Sequence, residues 1–497
     1  MWARRGSTTI RHALSCECNR LKRLLHFHLV ISDVNPQSRP SLMNGKKNAE
    51  ANRALAERIC ATLHAAGHQA YLVGGCVRDM VLRRIPADYD VATDAAPARI
   101  QELFAETVAV GAKFGVILVY EGDAQVEVAT FREDLGYSDG RHPDAVQFSK
   151  SAERDVQRRD FTINGLLYDT RAGKVLDFVG GQRDLQDGII RAIGDARARF
   201  AEDKLRMARA VRFAARFEYA IDPATLQAIR ELAPQIGQVS AERLRDELTK
   251  MLTEGKARRA FELLDDARLL AELLPEIVRM KGVEQPPQFH PEGDVWIHTR
   301  LMLEGLAEGC SPTLAWGVLL HDVGKPPTFS PPEGPEGRIR FDGHVEVGAR
   351  MAEEICRRLR FSNDDAEQVV SLVANHLRFK DVPQMRVATL KRFVRLAKFE
   401  EHLELHRLDC SSSHRNLENY DLVRKFLAET PPEKVKPPRL VTGDDLIAAG
   451  YAPGPKMKEM LAVAEDALLE GVVSTKDESI RLIAVKFGEP GNDAINH

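Results

Sequence analysis

Aromatic residues, cysteines and net charge are all scarce in this chain of 497 residues. Aromatic side chains make up 6% of it, whereas Ala, Leu and Arg are abundant, which favours helices over sheets. The formal net charge is −3, so a nucleic-acid partner would have to bind a local basic face. The seven cysteines are scattered, without metal-ligand spacing or a disulfide framework, and this indicates a reducing cytosol.

Long apolar runs and internal repeats are also absent from the sequence. No apolar segment reaches the length of a transmembrane helix, so we predict a cytoplasmic protein that does not interact with membranes. The first 48 residues are basic and poor in acids, and we interpret them as a disordered or non-native extension, with Met43 as the natural start. A transit-like segment is the alternative interpretation.

A pair of glycines follows the first predicted strand, Ala70–Val73. Gly74 and Gly75 allow the backbone to approach a triphosphate, and a short helix that carries Arg78 aims its first amides at the same place. A surface turn is the alternative, because paired glycines are common on their own.

The next predicted strand carries two aspartates. Asp88 and Asp90 are separated by one residue, so their side chains project from the same face. Two carboxylates about 6–7 Å apart along a strand can hold divalent cations between them, as nucleotidyl transfer requires. On a neighbouring predicted strand, Glu127 lies on the face opposite to the valines, where a third carboxylate ligand would stand. An exposed polar residue on an amphipathic strand is an equal alternative for Glu127.

Two polar clusters follow along the chain. The segment Arg158–Gly165 combines basic, acidic and amide groups at a predicted helix start, and these groups suit a triphosphate and a ribose. Further on, Asp203, Arg206 and Arg209 recur every three residues and therefore share one helical face. An acceptor beside a donor can pair with a base edge, and further arginines can hold phosphates. A capped surface helix and a solvated ion-pair helix are the alternatives.

These motifs together resemble the family of class II tRNA nucleotidyltransferases and bacterial poly(A) polymerases. They stand in the family's order and spacing as Gly74-Gly75-x-x-Arg78-Asp79, Asp88-x-Asp90, Arg159-Asp160-Phe161-Thr162-x-Asn164 and Glu202-Asp203-x-x-Arg206. The resemblance implies an α+β fold, in which a head with a small mixed β-sheet is followed by mostly α-helical domains.

The resemblance also implies a role for each motif. Asp88 and Asp90 would bind Mg²⁺ at the 3′-hydroxyl of tRNA and the incoming α-phosphate, with Glu127 as the third carboxylate. Asp203 and Arg206 would read the base edge of CTP and then of ATP. The other residues predicted to bind the nucleotide are Gly74, Gly75, Arg78, Arg159, Asp160, Asn164, Arg209 and Arg212.

A second set of candidate metal ligands lies downstream. Its members are His298, His321, Asp322, His344, His376 and Asp409. The set resembles the HD phosphohydrolase superfamily, in which histidines and aspartates from several helices hold one or two divalent metals. Imidazole with carboxylate suits Mn, Ni, Fe or Zn better than Mg alone. The resemblance implies hydrolysis of phosphomonoesters or cyclic phosphates, and a scaffold that keeps the ligands without using them is the alternative.

The predicted organisation is therefore an extension, a head, a neck, an HD domain and a tail that contacts tRNA. Their predicted boundaries are 1–48, 49–195, 196–284, 285–430 and 431–497.

The predicted function is addition of CCA to tRNA from CTP and ATP. An A-adding enzyme and a poly(A) polymerase share every motif. The polar loop 132–149 resembles the loop associated with switching to ATP, which argues against a purely CC-adding enzyme. Residues 111–115 lack the paired basic residues usual in poly(A) polymerases. The rival from a different class is an HD phosphohydrolase with an inactive head.

Overall fold

The computed structural model describes residues 42–111, 115–135, 145–332 and 337–490. The predicted extension up to residue 41, most of the predicted ATP-switching loop and the centre of the 111–115 segment lie outside this part of the chain. The protein divides into two compact units. The first comprises Met1–Arg132, Phe148–Asp155 and Leu166–Leu176, and the second comprises Glu133–Gln147, Val156–Gly165 and Asp177–His497.

The strands alternate with helices only in the N-terminal part of the chain. The described strands are β1 (Ala70–Val73), β2 (Asp90–Thr93), β3 (Thr107–Gly111), β4 (Val116–Glu121), β5 (Ala124–Thr130), β6 (Arg132–Leu135), β7 (Ala145–Phe148), β8 (Leu166–Asp169), β9 (Lys174–Asp177), β10 (Ile189–Ile190) and β11 (Ala220–Ile221).

The helices continue to the end of the described chain. Those up to the neck are α1 (Leu42–Ala65), α2 (Gly75–Val81), α3 (Pro97–Leu103), α4 (Ala152–Gln157), α5 (Gly181–Asp187), α6 (Ala196–Glu202), α7 (Leu205–Phe217), α8 (Pro223–Leu232), α9 (Ala241–Thr253), α10 (Ala257–Asp266), α11 (Leu269–Leu273) and α12 (Pro275–Val278). Those that follow are α13 (Val295–Glu304), α14 (Pro312–Leu320), α15 (His344–Arg358), α16 (Asn363–Asn375), α17 (Val387–Phe393), α18 (Phe399–Ser412), α19 (Glu418–Glu429), α20 (Pro432–Val435), α21 (Gly443–Ala448), α22 (Pro455–Glu470) and α23 (Lys476–Phe487). Short 3₁₀ helices occupy Thr162–Asn164, Ala233–Gln238, Pro326–Thr328 and His376–Gln384.

The first unit is built on a seven-stranded mixed sheet in the order β3-β4-β5-β2-β1-β8-β9. Strand β1 is antiparallel to both β2 and β8, and β2 is parallel to β5. In β5 the valines Val126 and Val128 are buried while Gln125 and Glu127 are exposed, which is the alternation of a half-buried strand. Ile59 and Leu63 of α1 are fully buried. The sheet therefore has a buried face and a face that is free to carry polar groups.

The second unit is almost entirely helical, and α14 lies deep inside it. All residues from Thr313 to Leu320 are buried, so this helix is apolar on every side rather than amphipathic. Helices α9, α16 and α18 contact it. In the C-terminal part, Thr442 and Asp445 form a capping box at the start of α21.

The predicted α+β class, with a mixed sheet followed by helices, is confirmed. Within the seven-stranded sheet, the sequence prediction missed β3 and β8, because pairing with a neighbouring strand can hold a short segment that has little local strand signal. It was wrong about Arg158–Gly165, which is a turn followed by a 3₁₀ helix instead of a helix start. Within the described residues, no helix is both long and apolar enough to cross a membrane.

Candidate active site and metal centre

Two carboxylates share the polar face of the sheet, and a third, Asp88, lies just before strand β2 in the chain. Asp90 begins β2 and lies directly opposite Glu127 of the parallel strand β5. Directly opposed residues of neighbouring strands point to the same face. Tyr89 is only 5% exposed and points into the core, which leaves Asp88 and Asp90 on the other side of the chain. Asp88 and Glu127 are exposed and Asp90 is half-buried, so this face is open to a ligand.

The glycine pair forms the turn between β1 and α2. Gly74 has a φ of 76°, in the left-handed region that favours glycine. Its N–H donates to the carbonyl of Leu166 at 3.2 Å, so this amide is already used by the protein. Arg78 is buried, and its Nε donates to Asp79 Oδ1 at 2.9 Å. The turn thus holds a guanidinium close to the backbone of Gly75, where an added Cβ would lie 3.5 Å from Arg78 Nη2.

In the second unit, Asp160 is the centre of a compact polar cluster. Its Oδ1 accepts hydrogen bonds from the Phe161 N–H and from Asn164 Nδ2, at 2.8 and 3.0 Å. Its Oδ2 accepts from Nε and Nη2 of Arg209, at 3.0 and 2.7 Å. Burial raises the pKa of the Asp160 carboxyl, but Arg209 and these hydrogen bonds outweigh burial, and the net pKa is lowered. The cluster is therefore an ionised pair that orients Arg209.

Asp203 and Arg206, the predicted base-reading pair, are each held by a different partner. Asp203 precedes α7, and its Oδ2 accepts from Arg243 Nη2 at 2.7 Å. Arg206 Nη1 donates to Glu202 Oε2 at 2.6 Å, and its Nη2 donates to the carbonyl of Arg158 at 3.1 Å. The two side chains are 16% and 12% exposed. Both groups are fixed in place before any nucleotide arrives.

Arg212 is more buried than expected for a residue that binds phosphate from an exposed helix face. Its side chain is 7% exposed and its Nε donates to Glu247 Oε2 at 2.6 Å, with Glu247 itself only 4% exposed. A buried pair of this kind costs several kcal/mol if one partner is removed. Arg212 therefore ties α7 to α9, and Arg209, at 32% exposure, is the more accessible of the two arginines.

All six predicted ligands of the HD set come together. Asp322 Oδ2 lies 3.0 Å from Nε2 of His321, and its Oδ1 lies 3.9 and 3.7 Å from Nε2 of His344 and of His376. His298 Nε2 lies 3.1 Å from Asp409 Oδ1. Among the described residues, three convergent groups lie in this region: His298 with His321 and Asp409, Asp322 with His344 and His376, and His290 with Glu292 and His298.

The atoms that face the centre of this cluster have no hydrogen bonds. Nε2 of all four histidines and Oδ1 of Asp322 are buried without a hydrogen-bond partner. Nε2 of His321 and of His298 still lie close to carboxylate oxygens, whereas Nε2 of His344 and of His376 are 3.9 and 3.7 Å from Asp322 Oδ1, beyond hydrogen-bond distance. Burying an unsatisfied polar atom costs about 1–3 kcal/mol, so the presence of these last three atoms indicates that they serve a ligand. Burial lowers the pKa of His376 to about 4 and lowers that of His344, which leaves the lone pairs of these two rings available to a metal ion. Burial also lowers the pKa of His298, but Asp409 and Glu292 outweigh it and raise that pKa to about 9.

Gly324 leaves room for the segment that carries His321 and Asp322 to pack closely against the helix that begins at His344. A Cβ at this position would lie 2.1 Å from the carbonyl oxygen of His344 and 2.6 Å from the backbone nitrogen of Gly348. The turn after His321-Asp322 can therefore pack directly on the first turn of α15, which begins at His344. The glycine two residues after Asp322 brings two sets of ligands together.

Three residues of this region were missed by the sequence prediction. Glu292 Oε1 lies 2.7 Å from His298 Nδ1 and 2.9 Å from His290 Nδ1. Lys325 Nζ lies 2.7 Å from Asp322 Oδ2. Burial raises the pKa of Asp322, but His321 and Lys325 outweigh burial and hold that pKa well below its usual range. The only available signal was His290-x-Glu292 just upstream of His298, which does not stand out as a motif.

An open cavity of about 860 Å³ adjoins the HD cluster. His290, His344 and Asp409 form part of its wall, and Arg338, Arg340, Arg378 and Lys380 supply positive charge. The head carboxylates form no comparable convergent group of three among the described residues, since the groups found are all in the HD region. The head thus presents an open acidic face, whereas the HD region encloses its ligands.

Comparisons with known proteins match three family models along the chain. These are the poly A polymerase head domain at residues 70–191, the probable RNA and SrmB-binding site of polymerase A at 218–280, and the HD domain at 294–406. A CCA-adding enzyme of Lactobacillus helveticus is 40% identical over 243 residues, which are 48% of this chain and 60% of that enzyme. This chain therefore spans only about half of the length of several curated relatives that it matches.

Other relatives are matched almost from end to end. A CCA-adding enzyme of Bacillus cereus is 29% identical over 427 residues, which are 86% of this chain and 96% of that enzyme. The crystal structure of the Bacillus stearothermophilus CCA-adding enzyme in complex with CTP is similar with a TM-score of 0.67 at 27% identity, covering 87% of this chain and 96% of that one.

Proposed function

We propose that this chain, which is similar to CCA-adding enzymes, adds CMP, CMP and AMP to the 3′ end of tRNA, using CTP and ATP. The observation that carries this proposal is the register of β2 and β5, which sets Asp90 opposite Glu127 next to Asp88. A nucleotidyltransferase needs such a carboxylate face beside the triphosphate.

The carboxylates of Asp88, Asp90 and Glu127 are hard oxygen donors on an open face, and they fit Mg²⁺. Magnesium bound there would lower the pKa of the tRNA 3′-hydroxyl and neutralise charge that develops on the α-phosphate. Gly75 and Arg78 would lie against the triphosphate. These roles depend on donor type and on the shared face of the two strands.

In the second unit, Asp203 would accept from and Arg206 would donate to the Watson–Crick edge of the incoming base. Both are partly exposed, and each is held from behind by a charged partner. This preorganisation favours the role, because a side chain that is already oriented loses less entropy when it binds. Arg159, Asn164 and Arg209 would hold the phosphates and the ribose, and Asp160 would orient Arg209.

The decisive experiment supplies tRNA transcripts that end before the first C, after C, after CC and after CCA, each with one labelled nucleotide at a time. We expect CMP on the first two, AMP on the third and no extension of the fourth. Incorporation of AMP alone, on transcripts ending in CC, would identify an A-adding enzyme instead. Long adenylate tails on every transcript would identify a poly(A) polymerase.

A second activity is supported by the buried HD cluster, whose five inward-facing atoms lack hydrogen bonds. We propose that His298, His321, Asp322, His344, His376 and Asp409 hold one or two divalent metals. Nitrogen with carboxylate donors suits Mn, Ni, Fe or Zn. Such metals activate water for attack on phosphorus, and the basic side chains of the adjoining cavity, which also carries carboxylates, would hold a phosphomonoester or a 2′,3′-cyclic phosphate.

This activity is tested by the metal content of the purified protein and by phosphate release with Mn²⁺, Ni²⁺ or Mg²⁺. We expect His321→Ala to abolish phosphate release and to spare nucleotide addition, and Asp322→Ala to lose the bound metal. A wild-type protein that binds no metal and hydrolyses no phosphoester would leave the HD region as a scaffold.

An enzyme of tRNA maturation of this kind would work in the cytoplasm. The five cysteines of the described chain, Cys60, Cys76, Cys310, Cys356 and Cys410, are free thiols, as expected in a reducing compartment.

A further inference from the structure

The four histidines of the HD cluster are not held in the same way. Nδ1 of His321, His344 and His376 bonds to the carbonyl oxygen three residues earlier, which belongs to Val318, Phe341 and Val373 respectively. These bonds are 2.7 to 2.9 Å long. A backbone carbonyl accepts only, so Nδ1 of each of these rings carries a proton and Nε2 is the atom that faces the cluster.

His298 is the exception. It is fully buried in the middle of α13, and the carbonyl three residues earlier, that of Val295, accepts instead from the hydroxyl of Thr299. The neighbour of His298 Nδ1 is a carboxylate, Glu292 Oε1, at 2.7 Å. Glu292 precedes α13 in the chain, and its side chain is only 8% exposed.

Glu292 is itself fixed on its other side by His290. Nδ1 of His290 contacts the same Oε1 at 2.9 Å, and the ring of His290 packs edge-on against that of His298 at 4.9 Å between centroids. The carboxylate therefore sits between two imidazoles and cannot swing away without leaving both. Oε2 of Glu292 and Nδ1 of His298 are both buried without a well-aligned hydrogen bond, so the 2.7 Å contact between Glu292 Oε1 and His298 Nδ1 is a close ion-pair contact.

We propose that Glu292 is a positioning residue that makes the two halves of the HD metal centre unequal. The half formed by His298, His321 and Asp409 has one imidazole backed by a carboxylate. The half formed by Asp322, His344 and His376 has imidazoles backed only by backbone carbonyls. This inference rests on the proposed metal-binding role of the HD region.

A carboxylate behind a ligating imidazole fixes the ring and makes it a stronger donor, and its loss typically lowers metal affinity about 10- to 100-fold. A peptide carbonyl is a weaker acceptor without a net charge. The first half should therefore bind a divalent metal more tightly than the second, and the difference should depend on the charge of residue 292.

The test titrates metal-free full-length protein with Co²⁺ and follows the d–d absorption bands together with binding calorimetry. For the wild type we expect two binding steps. For Glu292→Gln, which keeps the size of the side chain but removes its charge, the tighter step should weaken about 10- to 100-fold while the other stays unchanged. Glu292→Asp should recover part of the affinity, because it restores the charge.

Two further variants complete the experiment. Glu346→Gln removes a carboxylate from the wall of the adjoining cavity, and both Co²⁺ steps should stay as in the wild type. His344→Gln should weaken the second step alone. Thermal unfolding of each metal-free variant is measured beside the titration, so that loss of folding is separated from loss of affinity.

Two outcomes overturn the proposal and are distinct from each other. If the wild type binds Co²⁺ in two steps and Glu292→Gln does so with the same affinities and spectrum, Glu292 has no positioning role. If the wild type shows no Co²⁺ absorption at all, the proposed metal centre fails, and the role of Glu292 fails with it.

Discussion

The carboxylate face of the head and the histidine cluster of the HD region are built by opposite means. Asp88, Asp90 and Glu127 stand on an open strand face, and each of them reaches solvent. The inward atoms of the HD cluster are buried and lack hydrogen bonds. Without a ligand, carboxylates on an open face are hydrated and the folded state loses little stability. Buried polar atoms without partners destabilise the folded state until a ligand binds them. We therefore expect metal to matter for catalysis in the head and for both catalysis and stability in the HD region.

The largest effect should follow from Asp90→Asn. Removing one carboxylate ligand forfeits several kcal/mol of charge stabilisation at the reacting phosphate, so CMP and AMP incorporation should fall about a thousandfold or more. Binding of tRNA, measured by filter retention, should stay nearly intact. The metal content of the HD region serves as the internal control and should not change. Near-normal turnover with Mg²⁺ would refute the assignment of this face.

Gly324→Ala should disrupt the HD cluster without replacing any of its proposed metal ligands. The added Cβ meets two backbone atoms at 2.1 and 2.6 Å, which cannot move as a flexible side chain would. Overpacking typically costs about 1–3 kcal/mol, and here it should also separate His344 from Asp322, so bound metal should be lost. Gly237→Ala is the matched control, since a Cβ there meets nothing within 4 Å. Equal metal content in both variants would contradict this account of Gly324.

Arg206→Ala should produce an intermediate effect, on selectivity rather than on metal binding. A lost bidentate contact to a base typically costs about 1–3 kcal/mol of discrimination, so incorporation of UMP and GMP should rise relative to CMP and AMP. Arg197→Ala, which removes an exposed ion pair with Glu231, is the control. Wild-type selectivity across all four nucleotides in Arg206→Ala would move the base-reading role to another residue.

The smallest effect concerns a buried histidine outside the metal cluster. Burial lowers the pKa of His402 to about 4. Between about pH 6.5 and 4, His402 is protonated in the unfolded chain but neutral in the folded protein. The free energy of unfolding therefore decreases as pH falls, by up to about 1.4 kcal/mol per pH unit. His402→Gln should have a shallower loss of melting temperature below pH 6.5. Parallel pH curves for variant and wild type would show that His402 titrates normally.

Several features could be predicted from the sequence because they depend on local spacing. The alternation of a strand sets Asp88 and Asp90 on one side of Tyr89, and the same alternation separates Glu127 from its valines. The order of motifs was enough to indicate the resemblance to tRNA nucleotidyltransferases and the α+β class. The ligands of the HD set were also predicted, although nothing in their spacing along the chain shows that they meet.

Other features depend on contacts between distant parts of the chain. Arg209 and Arg212 look equivalent in the sequence, but in the structure Arg212 is buried against Glu247 while Arg209 remains accessible. Asp203 likewise pairs with a distant residue, Arg243. Neither partner lies near α7 in the sequence, and hydrophobic periodicity carries no information about which ion pairs will form between helices.

The sequence by itself determined which chemical groups this protein carries and which of them share a strand or a helix, because those relations follow from backbone geometry over a few residues. Only the tertiary structure decided which groups meet. Gly324 leaves room for α15, Glu292 reaches His298, and the Nε2 atoms of four histidines turn inward, because packing brings separate helices together.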